Sequence, residues 1–207
     1  MSAIRGPSAL IRVKDRSWED FNIMKRDDIA NYTVVEKLRD QRPVTIRAIR
    51  PGDKELFREA FKGLEASSIY MRFFGPRKEL TDRELIEATE VDFIRTVALV
   101  ACVQESAGER IVGGARYFAL GGPDPPSAAE IAFVVEEDYQ GQGFASILLK
   151  HLLLIGRKQG ISRFEADVLH ANKKMLRVFE RTGLPVVTKA SSDSLHVTIF
   201  LNKSEAP

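Results

Sequence analysis

The feature that most restricts this chain is a change of period around residues 134–145. Upstream, AEIAFVVE at 129–136 is an apolar run of strand length, whereas downstream Phe144, Ile147, Leu148, His151, Leu152 and Ile155 recur at helical spacing. Between them lies Gln140-Gly141-Gln142-Gly143, so a strand, a glycine turn and a helix follow one another directly. At such a junction the first N–H groups of the helix lack intrahelical partners, and glycine lets a ligand come close to the backbone. The stretch suits an anion such as a diphosphate. A dinucleotide fingerprint asks for a further glycine where Ser146 stands, although Asp167 lies near the distance of a ribose-binding acid. No glycine-lysine-serine or glycine-lysine-threonine ending of a Walker loop follows.

The pattern around this junction reads as a strand at 44–50, a helix carrying Leu56, Phe57, Ala60, Phe61 and Leu64, a short helix in SSIYMRFF, and another from 82 to about 90. Thr81 and Glu84 supply a capping box for the last of these. Strands follow at 95–104, 110–120 and 129–136, then a helix, a strand at 161–168, a helix from the Asn172 cap to about Arg181, and two strands around SSDS. This order predicts an α/β (α+β) domain over 44–203: one mixed, mostly antiparallel sheet of six or seven strands, helices on both faces, and a parallel crossover near the middle. Residues 1–43 carry irregular apolar spacing and read as an N-terminal extension, with Ile29 to Leu38 forming an amphipathic turn or two docked on the body.

Composition narrows the partners. Lys plus Arg number 31 against 29 Asp plus Glu, so the formal charge of +2 gives no general attraction to nucleic acid or an anionic membrane. Cys102 is the single cysteine, which excludes an internal disulfide framework. The absence of a secretion-like or membrane-length apolar run makes a cytoplasmic protein the expectation. The three histidines have no paired spacing, and no metal is expected. Exposed sheet edges leave a homo-oligomer open.

Among groups able to do chemistry, Glu130 stands out. It lies between Ala129 and Ile131 in what reads as sheet core, where a buried carboxylate needs partners or a raised pKa and becomes a candidate general base. Glu87, Glu90 and Asp92 form an acidic stretch suited to attracting a cationic amine. Glu136, Glu137 and Asp138 at the strand exit read as solvated, and Cys102 as a core residue rather than a nucleophile. Lys173, Lys174 and Arg177 are candidates for outer phosphate contacts.

Gln140-Gly141-Gln142-Gly143-Phe144-Ala145 matches the coenzyme A loop of the GCN5-related N-acetyltransferases, written Q or R, two variable residues, Gly, one variable residue, then Gly or Ala. NKKMLRVFERTGL at Asn172 to Leu184 resembles a second element of that family. TIRAIRPGD, SSIYMRFFGPRKELT, TVALVA, AEIAFVVEEDYQGQG and HANKKML are similar to the catalytic domain of bacterial protein lysine acetyltransferases. The resemblance implies acetyl-coenzyme A as cosubstrate, direct transfer to a primary amine, and a protein lysine as acceptor. Small-molecule amines and a catalytically weak coenzyme A-binding module are the alternatives. It implies that the strands at 129–136 and 161–168 splay around the pantetheine arm, with backbone groups near Phe133, Val134 and Val135 beside it. The amides from Gln142 to Ala145 would clasp the diphosphate, and Asn172 would approach the sulfur end. It also strengthens Glu130 as the base. The family often places a tyrosine general acid where this chain has Phe179, which cannot donate a proton. The length leaves no room for the regulatory domain such proteins often carry, so no built-in nucleotide sensor is expected.

Overall fold

The computed structural model describes residues 24–121 and 127–202. Its strands are β1 Thr33–Lys37, β2 Pro43–Ala48, β3 Thr96–Glu105, β4 Gly108–Leu120, β5 Ala128–Val135, β6 Arg163–Leu169, β7 Val186–Ala190 and β8 Ser194–Phe200. Its helices are α1 Arg26–Ala30, α2 Lys54–Lys62, α3 Ala66–Phe73, α4 Asp82–Thr89, α5 Phe144–Lys158 and α6 Lys173–Glu180. The strands form one sheet in the order β1-β2-β3-β4-β5-β6-β8-β7, antiparallel throughout except for the central β5–β6 pair. The mixed sheet with a parallel pair is as expected, with eight strands instead of six or seven.

The additional strand comes from the segment read as an extension. Residues 1–23 lie outside the described residues, but Ile29 and Leu38 are buried in the main core and β1 pairs with β2 from Thr33↔Arg47 to Lys37↔Pro43. The amphipathic turn expected at Ile29 to Leu38 is therefore a short helix ending at Ala30 and then an edge strand. Thr33, Val34 and Val35 are β-branched, and the neighbouring strand supplies the ladder that their sequence spacing does not announce. Tyr32 and Glu36 fasten this segment to α5: the Tyr32 hydroxyl lies 2.5 Å from His151 Nδ1, and Glu36 Oε1 lies 3.1 Å from His151 Nε2.

Alternation along the strands separates two faces. Ala115, Tyr117 and Ala119 of β4 share one face with Ala129 and Ile131 of β5, and α5 covers it. Gly156 permits the close packing there, since a Cβ at this position would lie 2.7 Å from Phe164 Cζ. Gly114, Arg116 and Phe118 share the other face with Glu130, Ala132 and Val134. Over this face α2 lies on β4 and α3 on β5.

A buried arginine places α2. The Arg47 guanidinium donates to both Asp53 oxygens at 2.7 and 3.0 Å, to Glu109 at 2.5 Å and to the Ala48 carbonyl at 3.1 Å. Asp53 also accepts the Arg50 N–H at 2.8 Å, so the turn Pro51–Asp53 that opens into α2 is bound to β2 and β4. The Thr81–Glu84 capping box of α4 forms as its sequence predicts.

Arg47→Met should lower the unfolding free energy by about 3–5 kcal/mol, because Asp53 would remain buried without its cation. Urea unfolding checks this, and a loss below about 1 kcal/mol would remove the network from the account of α2 placement. Burial lowers the His151 pKa against the opposing pull of Glu36. The folded chain thus binds this proton less tightly than the unfolded chain. The corresponding stability is complete above the unfolded pKa of about 6.5 and declines as the pH falls below it. His151→Gln should flatten that part of the stability profile, a comparison made by thermal unfolding between pH 7.5 and 5.

Candidate active site

The site begins where the parallel pair stops pairing. β5 and β6 are joined only at Ala128↔Arg163, Ala129↔Phe164 and Glu130↔Glu165, although β5 continues to Val135 and β6 to Leu169. Beyond Glu130 the strands part. The Glu136 N–H bonds to the Val112 carbonyl of β4, and the Ser127 carbonyl accepts from Ser162 and Arg163 at the β6 side. Backbone groups alternate sides along a strand. Even-numbered residues of β5 therefore address β4, and Phe133 and Val135 turn their N–H and C=O groups into the gap. The Val134 amide therefore addresses β4, and the amides that face the gap belong to Phe133 and Val135.

A cleft of about 410 Å³ runs from this gap to the start of α5. Phe133, Val134, Val135, Gln140, Gly141, Gly143, Phe144, Ala145 and Asn172 all line it. Gly141 and Gly143 have φ of +76° and +104°, a region that side chains disfavour, so glycine is what allows the chain to reverse into α5. The opening amides of α5 follow at Phe144 and Ala145. Gln142 is absent from the lining because its side chain fixes the turn, donating to the Asp138 carbonyl at 2.6 Å and accepting from Arg42 at 2.6 Å. Gln140 ties the cleft together: its amide donates to the Val135 carbonyl and the Ser68 hydroxyl, both at 3.1 Å, and its oxygen accepts from Lys174. Asn172 caps α6 through its side-chain oxygen, which accepts the Met175 N–H at 3.1 Å. Asn172 also lines the cleft.

Arg39, Lys174, Arg177 and Arg181 stand around this cleft. Together with the helix N-terminus they match a phosphorylated ligand, so the residues present fit a coenzyme A diphosphate. Arg39 escaped the sequence reading because it lies in the segment taken for an extension. Arg181 had only its helical spacing from Arg177 to offer.

Glu130 is the last β5 residue paired with β6, and it is exposed rather than buried. Alternation puts it on the face opposite α5, beside Phe118, which is 47% exposed. It has no hydrogen bond or ion pair among the described residues, and it lines neither the cleft nor the side cavity described next. The acidic candidates are not brought together. Asp92 closes a turn, with Oδ1 accepting the N–H groups of Ile94, Arg95 and Thr96 at 3.0, 3.0 and 2.8 Å. Burial opposes its ionisation, but those amides outweigh burial and its pKa is lowered. Glu90 pairs with Lys54 at 2.6 Å, and Glu87 pairs with Arg83 at 2.8 Å.

Glu87 does border a second cavity of about 230 Å³ between α2–α4 and the sheet, which meets the cleft at Arg72, Phe133 and Val134. Glu136 also reaches it and is 4% exposed, in contrast to the solvated position expected. Burial raises its pKa against the opposing effect of Arg110, whose guanidinium lies 2.7 Å away. Burial likewise pushes the Cys102 thiol up to about 12, which leaves it inert as a nucleophile near neutral pH. Phe179 is buried against Phe133, with ring centroids 6.1 Å apart, and Tyr117 is fully buried beside Phe164. Tyr139 lines the cleft.

Among the described residues no cluster of three or more His, Cys, Asp or Glu side chains has a metal-binding arrangement, and no helix is long and apolar enough to cross a membrane.

The Acetyltransferase (GNAT) family matches residues 64–184. The chain is 33% identical over 141 residues to Acetyltransferase PA5475 of Pseudomonas aeruginosa, covering 68% of this chain and 74% of that protein. It is 32% identical over 139 residues to Acetyltransferase Pat of Mycolicibacterium smegmatis, covering 67% of this chain but only 40% of that longer protein. The solved GNAT domain of S. lividans PAT superposes with a TM-score of 0.75 at 31% identity, covering 81% of this chain and 96% of that one. With a glycine turn feeding α5, a central strand pair that opens into a cleft and these relatives, the chain belongs to the GNAT family of acetyltransferases.

Proposed function

We propose that the chain transfers the acetyl group of acetyl-coenzyme A directly to the ε-amine of a lysine on another protein, with Glu130 as general base. The observation that carries this reading is the position of Glu130. It is a carboxylate with no hydrogen bond or ion pair among the described residues, at the apex of the β5–β6 gap, exposed on the sheet face that α2 and α3 cover farther along. A lysine projecting from a large surface can approach such a group from outside, whereas an enclosed small amine would call for a walled pocket around it. The similarity to Pat and to the S. lividans PAT domain supports the same acceptor class.

Acetyl-coenzyme A supplies an activated thioester carbonyl. The amides of Phe144 and Ala145, with Arg39, Lys174, Arg177 and Arg181, hold its diphosphate end. Backbone groups of Phe133 and Val135 align the arm in the strand gap, and Asn172 offers its amide from the α6 side. One of the two β5 amides polarises the carbonyl oxygen as the amine attacks. A lysine amine at pH 7 is protonated, and presenting it neutral costs about 4.6 kcal/mol. Glu130 takes this proton directly or through one water and passes it to solvent. Phe179 excludes the tyrosine donor at its own position.

Glu130→Gln should reduce kcat for lysine acetylation about 100-fold at pH 7.5. Its affinity for acetyl-coenzyme A should stay within about twofold, and the missing rate should partly return as the pH approaches the amine pKa. Thiol release with a lysine-bearing protein acceptor measures the first quantity and calorimetric titration the second. An unchanged kcat at pH 7.5 would remove Glu130 from the chemistry.

A further inference from the structure

The side cavity contains a charge imbalance that acetyl transfer does not use. Arg77 is engaged by Glu84, Glu87 by Arg83, and Glu136 by Arg110. Arg72 and Arg116 also line the cavity, and neither has an ion pair or hydrogen bond to a carboxylate among the described residues. Arg72 is held by stacking instead, with its guanidinium carbon 5.0 Å from the Phe73 ring centre while Arg77 approaches the same ring at 4.8 Å. Burial, with the neighbouring charges of Arg116 and Arg77, lowers the Arg72 pKa to about 10 against the opposing pull of Glu130. A half-buried cation beside two other cations is a costly arrangement, and an incoming anion would relieve it.

The location gives that anion an origin. Arg72 lines both spaces, so it stands at their junction next to Phe133 and Val134. Arg116 lies opposite Ala132, two residues along the same strand face from Val134, or about 7 Å. The intervening floor is made of Gly114 and Ala132, which keep this path free of bulky side chains. An acyl chain leaving the thioester carbon would run over that floor toward the two guanidinium groups.

We propose that Arg72 and Arg116 bind a carboxylate at the far end of the transferred acyl group, so that the chain accepts short dicarboxylic thioesters of coenzyme A, such as the succinyl thioester. This rests on the proposed cofactor cleft but not on Glu130 or on lysine as acceptor. The reaction remains an acyl transfer. The amine nitrogen forms the new bond to the carbonyl carbon, the C–S bond breaks with its electron pair going to sulfur, and the amine proton leaves through the base. The distal carboxylate is carried over unchanged.

The test compares succinyl-coenzyme A with butyryl-coenzyme A, which has the same chain length and a methyl group in place of the carboxylate. Calorimetric titration of the purified chain, without any acceptor, should show succinyl-coenzyme A binding about tenfold more tightly. Arg72→Met and Arg116→Met should each shrink that ratio toward one. Because the ratio cancels the shared coenzyme A contacts, general damage to the cleft cannot imitate the result. Equal binding of the two thioesters by the parent chain, or a ratio that survives both substitutions, would overturn the proposal. A second arm uses acetyl-coenzyme A with free lysine and lysine amide. If Arg72→Met raises KM only for the carboxylate-bearing acceptor while the thioester ratio is unmoved, the arginines serve the acceptor and the acyl assignment fails. Absence of lysine transfer together with a preserved binding ratio would sink the proposed function alone.

Discussion

Everything at the site follows from two parallel strands that pair for three residues and then separate. Unpaired backbone groups in a sheet centre are costly unless something else satisfies them. The chain answers part of this demand itself, since the Gln140 side chain takes the Val135 carbonyl. The Phe133–Phe179 pair fills the space beneath the opening with apolar rings. The groups of Phe133 and the amide of Val135 are then the polar edge against which an amide-containing arm can lie. The same separation fixes where α5 begins, because the chain leaving β5 must turn sharply through Gly141 and Gly143 before the helix can return over the sheet.

Electrostatics divides the surroundings of that opening. The cleft side carries Arg39, Lys174, Arg177 and Arg181 together with a helix N-terminus, a field suited to phosphates. The outer face carries Glu130 and, across β6 and β8, Glu165, Asp167 and His196. His196 Nδ1 lies 3.0 Å from Asp167 Oδ1 and its Nε2 lies 3.6 Å from Glu165. Positive charge thus gathers around the cleft, and carboxylates gather along this face. Arg72 and Arg116 are the exception, since they bring positive charge onto the face that also holds Glu130.

Local patterns announced most of the scaffold and the cofactor loop. The Thr81–Glu84 box, the Asn172 cap and the helical spacing after Phe144 are each written within a few residues, and each forms. What stayed hidden depends on residues far apart in the chain. β1 exists because β2 offers it a ladder, and Arg39 reaches the cleft only through that pairing. Gly156 reads as a weak point in a helix until Phe164 is packed against it. Burial of single charges was misjudged in both directions: Glu130 looks like core from its apolar neighbours but sits on the exposed face, while Glu136 looks like a strand exit and is covered by α2. Strand alternation could have predicted the first, given a correct assignment of which face α5 covers. The second required knowing that Gly63 lies over its carboxylate.

These two carboxylates separate a perturbed pKa from accessibility. Glu136 has the raised pKa and the burial that mark many catalytic acids. Yet one oxygen is engaged by Arg110, and the other sits so close to Gly63 that a Cβ there would come within 2.9 Å of it. Glu136 does border the side cavity, but its carboxylate is packed under the end of α2 and paired with Arg110. Glu130 has the opposite character, with no partner to give up and open solvent on the side from which an acceptor would come. A base for an external lysine must meet a protonated amine, accept one proton and release it again in each turnover. Access and the freedom to exchange that proton with water serve this task better than burial does, and of the two only Glu130 has both.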